Sequence, residues 1–219
     1  MAFPIEYTSV QMAEVQDFID TVFGNGEEGM IGHDIKSEYV HTDIASVTTD
    51  EGDRCFASFG MAAREMNAPH PDFCRAELLM YASKNLSPTS EEAMILMGEI
   101  QGISKYPFEN NVWLFHGHTI SASKRFSQTF GFDAFALVEI EEAENISGIG
   151  TVPFLQLVPI YKEEREWIME TGTVEGYILL YKVFGDRLNY ADSRREKYIP
   201  DEQTLNDLKE FIKTQRENT

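Results

Sequence analysis

The stretch 75-RAELLMYA-82 sets two charges, Arg75 and Glu77, at the head of an apolar run, and its reading decides the fold. A short run rich in aliphatic and aromatic residues has the length and texture of a strand. Two residues apart on a strand, Arg75 and Glu77 face the same way. A charge carried into a buried strand needs a partner. Either these two pair across the sheet with polar groups such as Asp43, or they lie on the solvent face. A sheet-organising ion pair, not catalysis, is the expectation.

Upstream, YVHTDIASVTT from Tyr39 and 54-RCFASFGM-61 have the same β texture, with EGD as the turn between them. Three neighbouring strands are the expected result. Before them, Val15, Phe18, Ile19, Val22 and Phe23 recur at helical spacing, so a helix is predicted over 9–23, ended by Gly24 and followed by the glycine- and acid-rich loop GNGEEG. Downstream, 87-SPTSEEAMILMGEIQGI-103 reads as a helix, with Thr89 and Glu92 spaced as a capping box. After Pro107 the β texture returns in VWLFHGHTI, FDAFALVEI and VPFLQLVPIY, the last two separated by the acidic loop EEAENISGIG. A helix follows over 162–171, then an apolar segment, 174-VEGYILLYKVFG-185, and a polar remainder with a weak helix near 201–216. Strand clusters bracketed by single helices predict an α+β, sandwich-like fold, its sheet mixed and mainly antiparallel with helices on the apolar face. One main domain over 1–185 and a polar C-terminal tail over 186–219, with a helix that docks, is the expected division.

The charge is uneven. The chain carries −19, and within residues 1–53 twelve acids face one base, Lys36. Such a field repels nucleic acid and anionic membranes and favours a basic protein. The acidic positions most suited to a partner are Asp17, Asp20, Glu27 and Glu28, and Glu139, Glu141, Glu142 and Glu144, where dense charge coincides with expected loops. The N-terminus lacks the pattern of a signal peptide and no apolar run reaches the length of a membrane span, which points to the cytoplasm. Cys55 and Cys74 belong to no CxxC or zinc-ligand pattern and read as inert thiols of a reduced compartment.

Phosphate-cradling glycine motifs, GxSxG and HExxH are all absent. The one candidate metal site joins His116 and His118 with His41 and Asp43, since HGH and HTD would each project both side chains from one strand face. Gly117 interrupts that strand, and no secure third ligand accompanies the two histidines, so neither a metal nor a cofactor is expected.

In order along the chain, HTDIASV, CFASFGMAAREM, CRAELLMYAS, WLFHGHTI and FLQLVPIYKEEREWIMETG resemble the suppressor-of-fused domain family over residues 38–172. The resemblance places family positions at Asp43, Gly60, Met61, Met66, Pro69, Arg75, Glu77, Leu78, Gly117, His118, Thr119, Pro159 and Glu164, as fold-specifying residues and not a catalytic set. It implies a non-enzymatic protein-binding domain. Animal members sequester a transcription factor in Hedgehog signalling; bacterial single-domain members act as immunity proteins against toxins. The length and acidity of this chain suit the bacterial type, with a basic toxin as partner. Two further functions stay open: a regulatory or scaffold protein that binds by strand addition at a sheet edge, and a metal-dependent enzyme using His116 and His118. On the family pattern Trp113 anchors its strand in the core, and His116, off the signature, is dispensable.

Overall fold

The computed structural model describes residues 4–33 and 38–217, and the side chains of these except 25–31 and 215–217. Seven strands form one sheet: β1 (Asn25–Gly32), β2 (Asp43–Thr48), β3 (Arg54–Phe59), β4 (Glu77–Ala82), β5 (Thr119–Ser121), β6 (Ala134–Ile146) and β7 (Gly150–Ile160). Their spatial order is β1-β2-β3-β4-β7-β6-β5. Two antiparallel runs, β1 to β4 and β5 to β7, lie side by side, and the joint between them, β4 with β7, is the one parallel pairing between these seven strands. The fold is therefore α+β with a mixed, mainly antiparallel sheet.

Six helices cover the sheet: α1 (Ser9–Val22), α2 (Glu91–Asn110), α3 (Lys124–Phe130), α4 (Lys162–Thr171), α5 (Thr173–Phe184) and α6 (Glu202–Glu217). Strand alternation sends Phe56, Leu78, Met80, Phe135, Leu155 and Leu157 to one face, where Leu96, Ile100 and Ile103 of α2 and Phe126 of α3 meet them. On the other face, Val47, Cys55, Leu79 and Phe154 pack against Val15 and Ile19 of α1. Further along that face Ala134, Ala136, Val158 and Ile160 receive Trp167 and Ile168 of α4 and Leu180 of α5. Both faces of the sheet are thus covered, which is why its central strands read as nearly continuous apolar runs.

Several expected boundaries move. GNGEEG is not a loop: β1 runs through it as an edge strand on β2. The second helix begins later and ends later than 87–103, because Ser90, not Thr89, accepts the Ala93 N–H, and because Pro107 sits inside the last turns before Asn111 closes the helix in the left-handed conformation. VWLFHGHTI is strand only from Thr119. The His118 N–H bonds the Phe115 carbonyl, and Gly117 at φ 85° turns the chain, so Trp113 and Leu114 fill the core from a loop. The chain of β6 continues through EIEEAE, so that acidic stretch is strand and not loop. The short helix α3 was not expected, although Ser123 caps it and Gly131 ends it.

The polar C-terminal part enters the core through Leu188 and Ala191, and brings one charge with it, Arg195. Arg195 and Glu164 form a two-pronged ion pair with both side chains fully buried, at 2.5 and 2.6 Å. Glu164 also accepts the N–H groups of Tyr161 and Tyr198, and Arg195 donates to the Pro159 carbonyl. The guanidinium lies over the rings of Phe132, Tyr161 and Phe184. A buried ion pair persists only when its remaining polar atoms are also bonded, and here most of them are. Replacing Arg195 by Met should leave the Glu164 carboxylate buried without a cation and cost about 3–5 kcal/mol of unfolding free energy. Denaturant unfolding checks this, and a loss below about 1 kcal/mol would show the pair to be dispensable.

Candidate functional site

Two of the positions that carry the resemblance, Gly60 and Glu77, meet at one buried carboxylate. Glu77, fully buried at the head of β4, accepts hydrogen bonds from the Tyr7 hydroxyl (2.7 Å), the Ser58 hydroxyl (2.5 Å) and the N–H groups of Gly60 (2.8 Å) and Ala62 (3.1 Å). The expected ion pair does not form. Arg75 precedes the strand, donates to the Ala62 carbonyl and pairs with Glu65, while Asp43 lies beside His41 and His33 at 3.2 Å each. Gly60 is required here: its φ is 123°, and a Cβ would strike the His41 carbonyl. Burial pushes the Glu77 carboxyl above its ordinary value, and the Ser58 and Tyr7 hydroxyls and the two backbone donors oppose that shift. This arrangement holds together the N-terminal strap, β3, the turn at 60–62 and β4. It offers no open face to a substrate.

The four-ligand metal site does not assemble. β2 and β5 stand five strand spacings apart, roughly 24 Å. His116 and His118 lie in a turn and do not share a strand face, and the His116 Nδ1 accepts the Glu139 N–H. Thus His116 ties the turn to β6 where the sequence suggested a residue without a role. Among the described residues no group of three or more His, Cys, Asp or Glu is placed to hold an ion. Gly117 donates to the Leu137 carbonyl, and Thr119 accepts from Arg165 Nε at 3.1 Å. His118 packs edge-on to Trp113, and burial lowers its pKa.

Beside β5 lies a trough of about 1030 Å³ between α2 and α4. Its rim includes exposed Met94, Tyr106 and Met169. The His118 carbonyl and the Ala122 N–H point to β6, so the backbone groups of Thr119 and Ser121 point outward, and no group among the described residues bonds them. On α2, Gly98 and Gly102 line the trough one turn apart, with no atom within 4 Å of where a Cβ would stand.

A second surface is acidic. Two clefts of about 850 and 320 Å³ share Thr21 and Val22 of α1. Asp20, Asp50, Glu51, Asp53 and Asp186 line the larger, Glu14, Asp17 and Glu144 the smaller, and among the described residues no lysine, arginine or histidine lines either. The structure thus brings Asp17, Asp20 and Glu144 onto one side of the molecule. Glu141 and Glu142 are exposed on β6 and Glu139 is half-buried, while the side chains of Glu27 and Glu28 lie outside the described residues. The sequence reading missed Arg165, the one arginine within KEEREW, and the glycines of MGEIQG, whose four-residue spacing inside a helix was the available signal.

Comparison with known proteins places this geometry. The family model described as Suppressor of fused protein (SUFU) matches residues 38–196. A search of curated proteins finds no match. Among solved structures, a SUFU homologue from Neisseria gonorrhoeae FA 1090 aligns with TM-score 0.56 and 16% identity over 89% of this chain and 98% of its own. A chain of the Sufu–Fu complex aligns with TM-score 0.55 and 16% identity over 89% and 93%. Drosophila Suppressor of Fused aligns with TM-score 0.60 and 16% identity over 97% of this chain and 56% of its own.

The Glu77 cluster makes a signed prediction. Because its folded-state pKa is raised, the stability it contributes is fully present below the unfolded value, near 4.5, and is lost as pH rises through the folded value. The stability gap between the native chain and Glu77→Gln should therefore narrow from about pH 4.5 upward, read by denaturant titration. A gap that widens with pH contradicts the raised value.

Proposed function

This chain belongs to the suppressor-of-fused family, and on that premise we propose that it is a non-enzymatic protein-binding domain, a cytoplasmic immunity-type protein that binds and neutralises a basic toxin. The observation that carries this reading is the acidic side of α1, where eight carboxylates line two adjoining clefts without one basic side chain among the described residues. Opposed charge speeds encounter and selects the partner by sign. Within these clefts Asp53 is partly engaged, accepting the Tyr190 hydroxyl and the Lys84 N–H. The exposed Asp17 and Glu51 suit a partner's lysines and arginines.

A second reading, a regulatory domain that captures a segment of a cellular protein, is favoured by a different observation. The outer edge of β5 presents the unbonded backbone of Thr119 and Ser121 beside a deep trough, the arrangement an added strand uses. The Sufu–Fu complex is a family fold solved together with a second protein and supports protein binding in either form.

The two readings separate by salt and by site. If a toxin with a basic domain is encoded beside the gene, co-expression with the chain should restore growth, and the affinity should fall several-fold between roughly 0.1 M and 0.5 M salt. The triple change Asp17→Asn, Asp20→Asn, Glu51→Gln should weaken it by a similar factor, mainly through a slower association rate. An affinity indifferent to salt and to these changes would contradict the acidic-face reading.

A further inference from the structure

We infer that the trough along β5 takes an extended segment of a partner protein that carries an aspartate or glutamate, and that Arg165 selects it. This rests on the strand-addition reading and specifies its ligand. Arg165 of α4 lines the trough and is fixed by two neutral hydroxyls of the edge strand, Thr119 Oγ1 (3.1 Å, from Nε) and Ser121 Oγ (2.7 Å, from Nη1). Among the described residues no carboxylate pairs with it. Elsewhere in this acid-rich chain Arg75, Arg125, Arg195, Lys162 and Lys197 each have one. Glu99, the one carboxylate lining the trough, is buried and accepts the Ser123 N–H. A guanidinium has five donors in a planar fork, so Arg165 keeps donors for a carboxylate, held in place in advance.

The register of β5 says where that carboxylate would sit. Thr119 and Ser121 lie opposite Ala136 and Ala134, which face α4, whereas Ile120 lies opposite Phe135 and faces α2. A segment added to the outer edge alternates in the same way. Its residues opposite Thr119 and Ser121 come beside Arg165. Those between them turn toward α2, where Gly98 and Gly102 leave a floor bare of side chains between Met94 and Tyr106. Each of these glycines costs its helix about 1 kcal/mol relative to alanine, and no packed neighbour accounts for either. The preferred segment is therefore extended, with an acidic residue next to an apolar one.

A random-peptide phage library selected on the immobilised full chain tests this, followed by fluorescence anisotropy with the strongest peptide and its Asp→Asn or Glu→Gln counterpart. Selected peptides should carry an acid beside an apolar residue. The amide counterpart should bind roughly tenfold more weakly to the native chain, and about equally with the acid to Arg165→Met. Gly102→Leu, which fills the floor while favouring the helix, should abolish binding at unchanged or raised thermal stability. If Gly102→Leu binds normally, or no peptide is recovered, both the trough reading and the role of Arg165 are overturned. If Gly102→Leu blocks binding but the acid and its amide bind the native chain alike, the trough stands and the role of Arg165 falls.

Discussion

The carboxylate of Glu77 has no solvent exposure and no cation bonded to it, and four donors from three separate parts of the chain converge on it. An ionised group buried in this way costs several kcal/mol unless its lone pairs are taken up. The donors therefore have to arrive together. Tyr7 fixes the N-terminal strap, Ser58 the end of β3, and the Gly60 and Ala62 amides the turn that follows. Ser58 also accepts the Leu78 N–H, which locks β3 to the start of β4. Glu77 in turn pairs in register with Phe154 of β7 at the parallel joint. The two antiparallel halves of the sheet meet beside this one group.

The ion pair of Glu164 with Arg195 serves the far half in a comparable way. It draws the chain after α5 back against Pro159 and the start of α4, and the family match ends at 196, one residue beyond Arg195. The two buried acids use different chemistry, neutral donors for Glu77 and a cation for Glu164. Both have the same effect of closing a segment onto the sheet. Neither faces a cleft where a ligand would reach it.

Much of the fold was legible because strand texture and helical periodicity are local. Val15, Ile19, Leu96 and Ile100 fall where their spacing puts them. The failures share a physical cause, which is that the deciding contact lay far away in sequence. Arg75 and Glu77, two residues apart, read as charges that pair across the sheet with groups such as Asp43, yet Glu77 is satisfied in part by Tyr7, 70 residues upstream. Arg195 hides in the polar run SRREK and is identified only by its fit between three aromatic rings. His116 and His118 suggested a shared metal with β2 because register alone cannot say which strands are neighbours. EIEEAE read as loop because Glu141, Glu142 and Glu144 face solvent and a bulge between Glu139 and Glu141 breaks the alternation, while Ala143 of the same strand packs in the core. At the candidate surfaces the acidic segments were visible in composition, but their assembly around α1 required the fold. The trough required both the edge position of β5 and the empty space above Gly98 and Gly102.

Architecture and the proposed recognition thus use different residues: buried acids with their donors hold the fold, while the surfaces proposed for partners are exposed carboxylates and an open strand edge. The central claim is that the Glu77 cluster opens only when the whole molecule does. Native-state amide hydrogen exchange of Gly60 and Ala62 tests it most directly. The account predicts that both amides exchange with the free energy of global unfolding, together with the amides of β3 and β4. Exchange through a low-energy local opening at Gly60 and Ala62, while β3 and β4 stay protected, would contradict it.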